Sequence, residues 1–457
     1  MRDKFFDELA LLTDFYEFTM SAVYFTHDMF APATFSLFVR NCPPQRKFFL
    51  AAGLERLLSI LENFRFTEES LAYLESLGLF KPSFLDYLKT FRFSGEVWAL
   101  PEGTIFFPHE PVVEITAPII EAQLIETLVI NVLNLETTIA SKAIRCVLAA
   151  QGKPLVDFAA RRTQGLEAAV QVARATYLAG FSATSNTLAG KLYNIPVTGT
   201  MAHSFVQSFG EEEEAFWAFV QEFSENSILL LDTYDTLGAL PKVIKIARML
   251  ERQGKRLKGV RLDSGNLVSL AKEVRKRLDE AGLSYVKIFA SGGLDEYAIY
   301  QLLAQGAPID AFGVGTKVGV GADLPYLDAA YKLVSYDGRP VAKFSQGKAT
   351  LPGSKQVFRV YDDQGKLKED WIALRGEEMS SGTPLLVQVM KGGRRLSPPE
   401  GLDQIRHRVE EGIRRLPSYL LSLEPHGAKY PVYLTSALIE LQEKVQQECQ
   451  NLQQQKF

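Results

Sequence analysis

Two hydrophobic rhythms run along the chain, and the changes between them divide it in three. From 1 to 150, helical spacing is mixed with short extended pieces. Leu9 to Phe25 carries Leu, Phe, Tyr and Met at helical spacing, and Thr34 to Val39 alternates Phe and Leu with smaller residues as a strand does. Gly95 to Pro118, rich in Pro, Gly, Val and Ile, predicts a small β-region, followed by a long helix from about Glu121 to Ala150.

After Gly152 the rhythm changes. Short apolar runs stand at Leu155–Phe158, Ile195–Val197, Ile228–Leu231, Gly259–Leu262, Val286–Phe289 and Ile309–Val314, with an extra extended piece near Phe181–Ser185. Helical patterns follow most of them, at Leu166–Leu178, Ala239–Arg252, Leu267–Ala281 and Glu296–Gln305. Strands alternating with helices imply parallel βαβ units. Their number between 151 and 328 favours an α/β barrel, with an open doubly wound sheet as the structural alternative. From 329 to 457 the chain returns to hairpins, with turn chemistry at Tyr336-Asp337-Gly338 and Asp363-Gln364-Gly365, and ends in helix that is Gln-rich after Gln442.

Composition narrows the class. The 457 residues are 47% hydrophobic and 23% charged, the proportions of a globular protein rather than a disordered or collagen-like one. A net charge of −4 without a long basic run argues against a nucleic-acid footprint. Glu121, Glu126 and Glu136 interrupt the best apolar stretch, so no membrane span is expected, and acids occupy the place of a signal peptide's apolar core. Three scattered cysteines make no disulfide framework or zinc site, and none of the five histidines is spaced as a metal-ligand pair. A cytoplasmic protein is expected.

The chemistry lies just past the strands, where βα proteins build their ligand sites. These positions carry Arg161-Arg162-Thr163, Gly199-Thr200-Met201-Ala202-His203, Asp232-Thr233-Tyr234-Asp235, Asp263-Ser264-Gly265, Ser291-Gly292-Gly293 and Gly313-Val314-Gly315-Thr316. Together they predict a polar mouth for an anionic, phosphorylated ligand. Gly292, Gly293, Gly313 and Gly315 are either tight turns or seats where backbone N–H groups meet phosphate. His203, after a Gly-Thr turn, is a candidate nucleophile or acid/base, against the alternative of a core histidine. Asp232 and Asp263 are either helix N-caps or ligand-binding carboxylates. Alternation puts Arg261 on the face of Asp263, where the pair would hold a carboxylate substrate and a ribose or magnesium. Glu211–Glu214 is read as the acidic opening of the helix Ala215–Phe223, and Phe30, Phe35, Phe38, Phe48 and Phe49 as core.

An ordered set of strings from Thr13 to about Arg359 resembles the nicotinate phosphoribosyltransferase family. It includes Thr13-Asp14-Phe15-Tyr16-Glu17, Phe158-Ala159-Ala160-Arg161-Arg162, Gly199 through Phe205, Leu231 through Asp235 and Val260 through Gly265. Ser291 through Asp295, Gly313 through Thr316 and Leu351 through Lys355 continue it, and no motif is found after about 375. The resemblance implies an irregular barrel of the type II phosphoribosyltransferase kind, an N-terminal α/β domain completed by strands returning after the barrel, and a helical C-terminal part. It implies ATP-coupled conversion of nicotinate and phosphoribosyl pyrophosphate to nicotinate mononucleotide and pyrophosphate, with magnesium, in a homodimer whose sites lie near the subunit interface. By the same resemblance His203 is phosphorylated and oriented by Asp232, and Asp263 binds ribose hydroxyls. Tyr16, Thr200, Arg261 and Arg161 serve nicotinate or anion binding, and Thr316 with the neighbouring glycines holds phosphates. A nicotinamide-specific relative, or a non-catalytic sensor of pyridine nucleotides, are the competing readings. The Thr200–Phe205 string and the intact His203, Asp232 and Asp263 argue against them.

Overall fold

The short apolar runs beyond Gly152 become six parallel strands, in the order Ala183–Thr184, Leu155–Asp157, Ala311–Val314, Lys287–Ala290, Gly259–Leu262, Ile228–Leu230. A computed structural model describes residues 7–345, 349–424 and 428–454. The chain divides into two units, Ile139–Pro325 and Met1–Thr138 with Tyr326–Phe457. It is an α/β protein of mixed sheets and helices.

In the unit 139–325 the strands are short and almost wholly apolar, as strands covered on both faces must be. Val156, Leu229, Leu230, Val260, Leu262, Ile288, Phe312 and Val314 are all buried. Between strands run the helices Leu166–Leu178, Thr236–Arg252, Leu267–Glu280 and Glu296–Ala304, close to the ranges that periodicity predicts. One expected strand is reduced. Ile195–Val197 makes only a single bridge, Val197 to Thr184. Pro196 lacks an N–H and contributes only its carbonyl, which accepts from Thr184 N at 3.0 Å.

The other unit holds a seven-stranded sheet, ordered Arg339–Pro340, Ala329–Tyr336, Pro32–Val39, Pro111–Pro118, Glu96–Ala99, Val387–Lys391, Arg394–Arg395. The expected turn at Asp337-Gly338 forms with both residues at positive φ, 50° and 71°, as a tight hairpin requires. A four-stranded sheet carries the second expected hairpin, Lys355–Tyr361 with Leu367–Leu374. The long helix is interrupted at Ile125, giving Ile119–Leu124 and Glu126–Ala149. Phe35, Phe38, Phe48 and Phe49 are core as expected, but Phe30 is 40% exposed and packs edge-on against Phe25 and tilted against Tyr87. No helix among the described residues is long and apolar enough to cross a membrane.

Candidate active site

Parallel strands end on one edge of their sheet, so the loops that leave them gather there. Arg261, next to last in Gly259–Leu262, stands at that edge on the fifth of the six strands, with its side chain 11% exposed. Its Nε donates to Ser291 Oγ at 2.9 Å, Nη1 to Thr200 Oγ1 at 2.8 Å and the Met201 carbonyl at 3.3 Å, and Nη2 to Asp263 Oδ1 at 3.0 Å. Its guanidinium also lies 5.7 Å from the centre of the Phe158 ring. Four of the five N–H groups of a guanidinium are thereby engaged, and its plane is fixed.

Asp263 accepts from both Arg261 and the Ser291 hydroxyl, and both bonds fall on Oδ1. Burial pushes its pKa up, but the Ser291 hydroxyl, the Arg261 guanidinium and His203 outweigh burial and hold it below the usual carboxylate range. Neither Asp263 nor Asp232 caps a helix. The caps are Asp235, Asn266 and Asp295, whose side chains accept from Gly238 N at 3.0 Å, Ser269 N at 3.2 Å and Ala298 N at 2.9 Å.

His203 opens the short helix His203–Gln207 and is half-buried. Its Nδ1 lies 3.2 Å from Thr233 Oγ1. Asp232, the partner that the sequence suggests, is not the one found. That carboxylate instead accepts from the Ser264 hydroxyl, and its Oδ1 is buried without a hydrogen-bond partner. Past the end of Ile228–Leu230 it is the Thr233 hydroxyl that reaches the imidazole, while the Asp232 carboxylate meets Ser264.

The glycine turns have a more local reason than the sequence implied. Gly292 has a φ of +93°, and a Cβ there would meet the Asp263 carbonyl oxygen at 1.8 Å. At Gly313 a Cβ would strike the Phe158 ring at 2.5 Å, and at Gly315 the Phe158 carbonyl oxygen at 2.9 Å. Only Gly293 of the four is open. Thr316 begins the turn Thr316–Gly319, and its Oγ1 accepts from Arg162 Nη1 at 3.2 Å. Arg161 is exposed on the preceding turn, Ala160–Arg162.

Sequence reasoning missed Thr233, Ser291, Arg162, Phe158 and Asp157 as members of the site. All but Asp157 sit inside strings that the sequence singles out, but nothing local shows which of them turn inward. Asp157 is buried and accepts from Thr184 Oγ1 at 2.7 Å and Ala159 N at 2.8 Å, which fixes the turn carrying Arg161 and Arg162. Behind the edge, Lys142 Nζ lies 2.7 Å from Glu296 and 2.8 Å from Asp323, a buried group that secures the helix after Ser291–Asp295. No group of three or more His, Cys, Asp or Glu is placed to hold a metal among the described residues.

Tyr16 belongs to the other unit, in the first turn of the helix Phe15–Thr26, and is half exposed. Burial first, and then the carboxylates of Glu126, Glu17 and Asp14, push its phenol up to about 12.

The fold is that of α/β phosphoribosyltransferases. The crystal structure of human nicotinic acid phosphoribosyltransferase aligns with a TM-score of 0.85 at 29% identity, covering 95% of this chain and 99% of that one. That of nicotinate-nucleotide pyrophosphorylase from Pyrococcus furiosus aligns at 0.73 and 25% identity, over 91% and 97%. Residues 11–134 match the nicotinate phosphoribosyltransferase (NAPRTase) N-terminal domain, and residues 154–360 the nicotinate phosphoribosyltransferase (NAPRTase) family. Nicotinate phosphoribosyltransferase pncB2 of Mycobacterium tuberculosis (strain ATCC 25618 / H37Rv) is 50% identical over 431 residues, 94% of this chain and 92% of that protein. The Bacillus subtilis (strain 168) nicotinate phosphoribosyltransferase is 41% identical, over 82% and 78%. The chain belongs to the nicotinate phosphoribosyltransferase family.

Proposed function

We propose that this chain joins nicotinate to 5-phosphoribosyl 1-pyrophosphate, releasing nicotinate mononucleotide and pyrophosphate, with ATP hydrolysis coupled through a phosphohistidine at His203. It is a nicotinate phosphoribosyltransferase, an enzyme of NAD salvage. The observation that carries the reading is the fixed Arg261 guanidinium, held by Thr200, Ser291 and Asp263 beside the loop that bears His203. A planar cation with one N–H in reserve suits an aromatic carboxylate.

In this reading Arg261 and Thr200 orient nicotinate through its carboxylate, so that the pyridine nitrogen faces C1 of the ribose. The nitrogen forms the new bond as the C1–O bond to pyrophosphate breaks, and the leaving oxygen keeps the electron pair. The oxocarbenium-like transition state needs positioning and charge stabilisation above all. Asp263 supplies both, since it is ionised and has Oδ2 left for a ribose hydroxyl. Thr316, Gly293 and Arg162 receive the phosphates, while Gly292, Gly313 and Gly315 keep the turns that present them. Arg161 adds positive charge to the mouth. Tyr16 is assigned to nicotinate on the family resemblance, as an aromatic lid.

Magnesium takes most of its ligands from phosphates and water, with one or two carboxylates. The partnerless Oδ1 of Asp232 fits such a role, and the ion's contribution is to neutralise the departing pyrophosphate. For His203, an Nδ1–H donating to Thr233 leaves Nε2 to accept the phosphoryl group of ATP as ADP departs. Six parallel strands are read as an irregular type II barrel, and the functional assembly as a homodimer with shared sites.

Because the transferase step needs no phosphohistidine, His203→Asn should lose ATP hydrolysis and ATP stimulation yet still form nicotinate mononucleotide slowly at high substrate. ADP and nucleotide would be measured in one reaction. A mutant that still hydrolyses ATP in step with synthesis rules the phosphohistidine out.

A further inference from the structure

Glu17 is fully buried in the first turn of the helix Phe15–Thr26, directly after Tyr16. Two threonine hydroxyls serve its carboxyl group. Thr127 Oγ1 lies 2.7 Å from Glu17 Oε1, and Thr13 Oγ1 is within hydrogen-bond reach of Glu17 Oε2. Both hydroxyls have a second acceptor as well. Thr13 Oγ1 is 2.9 Å from the Leu124 carbonyl oxygen, and Thr127 Oγ1 is 3.3 Å from Asp14 Oδ2. Thr127 Oγ1 itself accepts from Asp14 N at 3.2 Å.

Each hydroxyl has one proton to give. If Glu17 is ionised, two protons face four acceptors. If Glu17 is a carboxylic acid, its Oε2–H donates to Thr13 Oγ1 and Thr13 donates onward to Leu124. Thr127 then donates to Glu17 Oε1, and only the longest of the four approaches stays without its own proton. Buried polar groups are rarely left unsatisfied, so proton counting favours the acid.

We propose that Glu17 is a positioning residue for Tyr16, and that its acid proton completes the hydrogen-bond cluster that anchors the Thr13–Glu17 segment and so fixes the tyrosine ring. This rests on the assignment of Tyr16 to nicotinate above. The electrostatic surroundings agree. The groups facing the carboxyl are Asp14 and Tyr16 on its own segment and Glu126 and Thr127 on the helix Glu126–Ala149, with Tyr331 on the strand Ala329–Tyr336. The cation on that strand, Lys332, reaches Glu126 at 3.5 Å rather than Glu17. Burial foremost lifts the Glu17 pKa to about 7, against the lowering effect of the two threonine hydroxyls. Glu17 therefore exchanges its proton within the neutral range. On ionisation it becomes a buried anion beside Glu126, which already accepts from Gln123 Nε2 at 2.8 Å.

The test compares wild type with Glu17→Gln, whose amide reproduces the acid's donor and acceptor at every pH, and with Glu17→Ala. Steady-state KM for nicotinate and for phosphoribosyl pyrophosphate would be measured from about pH 6 to about pH 8.5, a span that brackets a single ionisation. The wild-type nicotinate KM is expected to rise by about three- to ten-fold across this range. Glu17→Gln should lack that rise and so bind nicotinate better than wild type at the alkaline end, while Glu17→Ala should be weakened throughout. The phosphoribosyl pyrophosphate KM should follow one common profile in wild type and Glu17→Gln. A Glu17→Gln profile superimposable on wild type overturns the proposal. Tyr16→Ala, run alongside, separates the two ideas. If it leaves nicotinate KM unchanged, the assignment of Tyr16 has failed. If it raises KM while Glu17→Gln keeps the wild-type profile, only the role of Glu17 has failed.

Discussion

Arg261 Nη1 donates to the hydroxyl of Thr200 at 2.8 Å, across 61 residues of sequence. That bond ties the end of a strand to the loop leading into His203, and brings the cation onto the same loop as the imidazole. The Arg261 guanidinium cannot swing freely, because Ser291 and Asp263 hold its other nitrogens.

Removing Arg261 should therefore fall on nicotinate. Truncating one member of a charged, hydrogen-bonded pair costs about 2–5 kcal/mol, or roughly 30- to 4,000-fold in kcat/KM. Arg261→Ala is expected to show that loss for nicotinate, with much less change in the affinity for phosphoribosyl pyrophosphate measured by direct titration. Equal losses for both substrates would assign Arg261 to general integrity of the site.

Thr233 rather than Asp232 should control the histidine. Thr233→Val keeps the volume but removes the partner of Nδ1, so the yield of phosphohistidine after incubation with ATP should drop by about five- to ten-fold, as expected when a hydrogen bond of about 1 kcal/mol or slightly more is removed. Asp232→Asn is expected to affect the magnesium dependence of synthesis more than phosphohistidine yield. The opposite ordering would restore the carboxylate as the orienting group.

Gly292 and Gly293 should respond differently to alanine. Both have positive φ, which costs about 1–2 kcal/mol for a residue with a Cβ. Only at 292 does that Cβ also run into the Asp263 carbonyl, which must move, adding about 1–3 kcal/mol. Thermal unfolding should show Gly292→Ala as the less stable of the two by at least about 1 kcal/mol, with Asp263-dependent activity falling in parallel. Equal stabilities would mean that the loop yields more easily than its packing implies.

Glu17 also gives a stability signature that needs no substrate. Its folded pKa of about 7 lies above the ordinary 4.5, so the folded chain holds a proton that the unfolded chain has released. Its contribution is whole below about pH 4.5 and is lost as pH rises through about 7. Glu17→Gln escapes that loss. Its melting temperature relative to wild type should climb between these values and then level off, by at most about 3 kcal/mol in stability terms. A difference that does not vary with pH would mean that Glu17 is ionised throughout.

Much of the chain's local structure could be read from one sequence. The helix Leu166–Leu178 and the strand Gly259–Leu262 appear at the ranges that periodicity gives, because burial against a sheet demands a regular apolar face whatever its partner. Arg261 and Asp263 were also legible as neighbours, since residues two apart on a strand share a face. Ile195–Val197 shows the limit. Its apolar side chains promised a strand, but strand formation depends on donors, and Pro196 has none to give.

Which residue types stand at the strand ends is legible along the chain, because the rhythm of apolar runs marks where each strand stops. Their pairings arise on folding. Whether His203 meets Asp232 or Thr233 depends on which of two adjacent side chains turns inward as the strand ends, and no periodicity encodes that. The reason for Gly292 likewise lies in the Asp263 carbonyl of a neighbouring strand's loop. The proton on Glu17 follows from a count of hydroxyls brought together from Thr13 and Thr127, 114 residues apart in the chain. Identity and order are written along the chain, whereas hydrogen-bond satisfaction and close backbone approach are properties of segments that only folding makes neighbours.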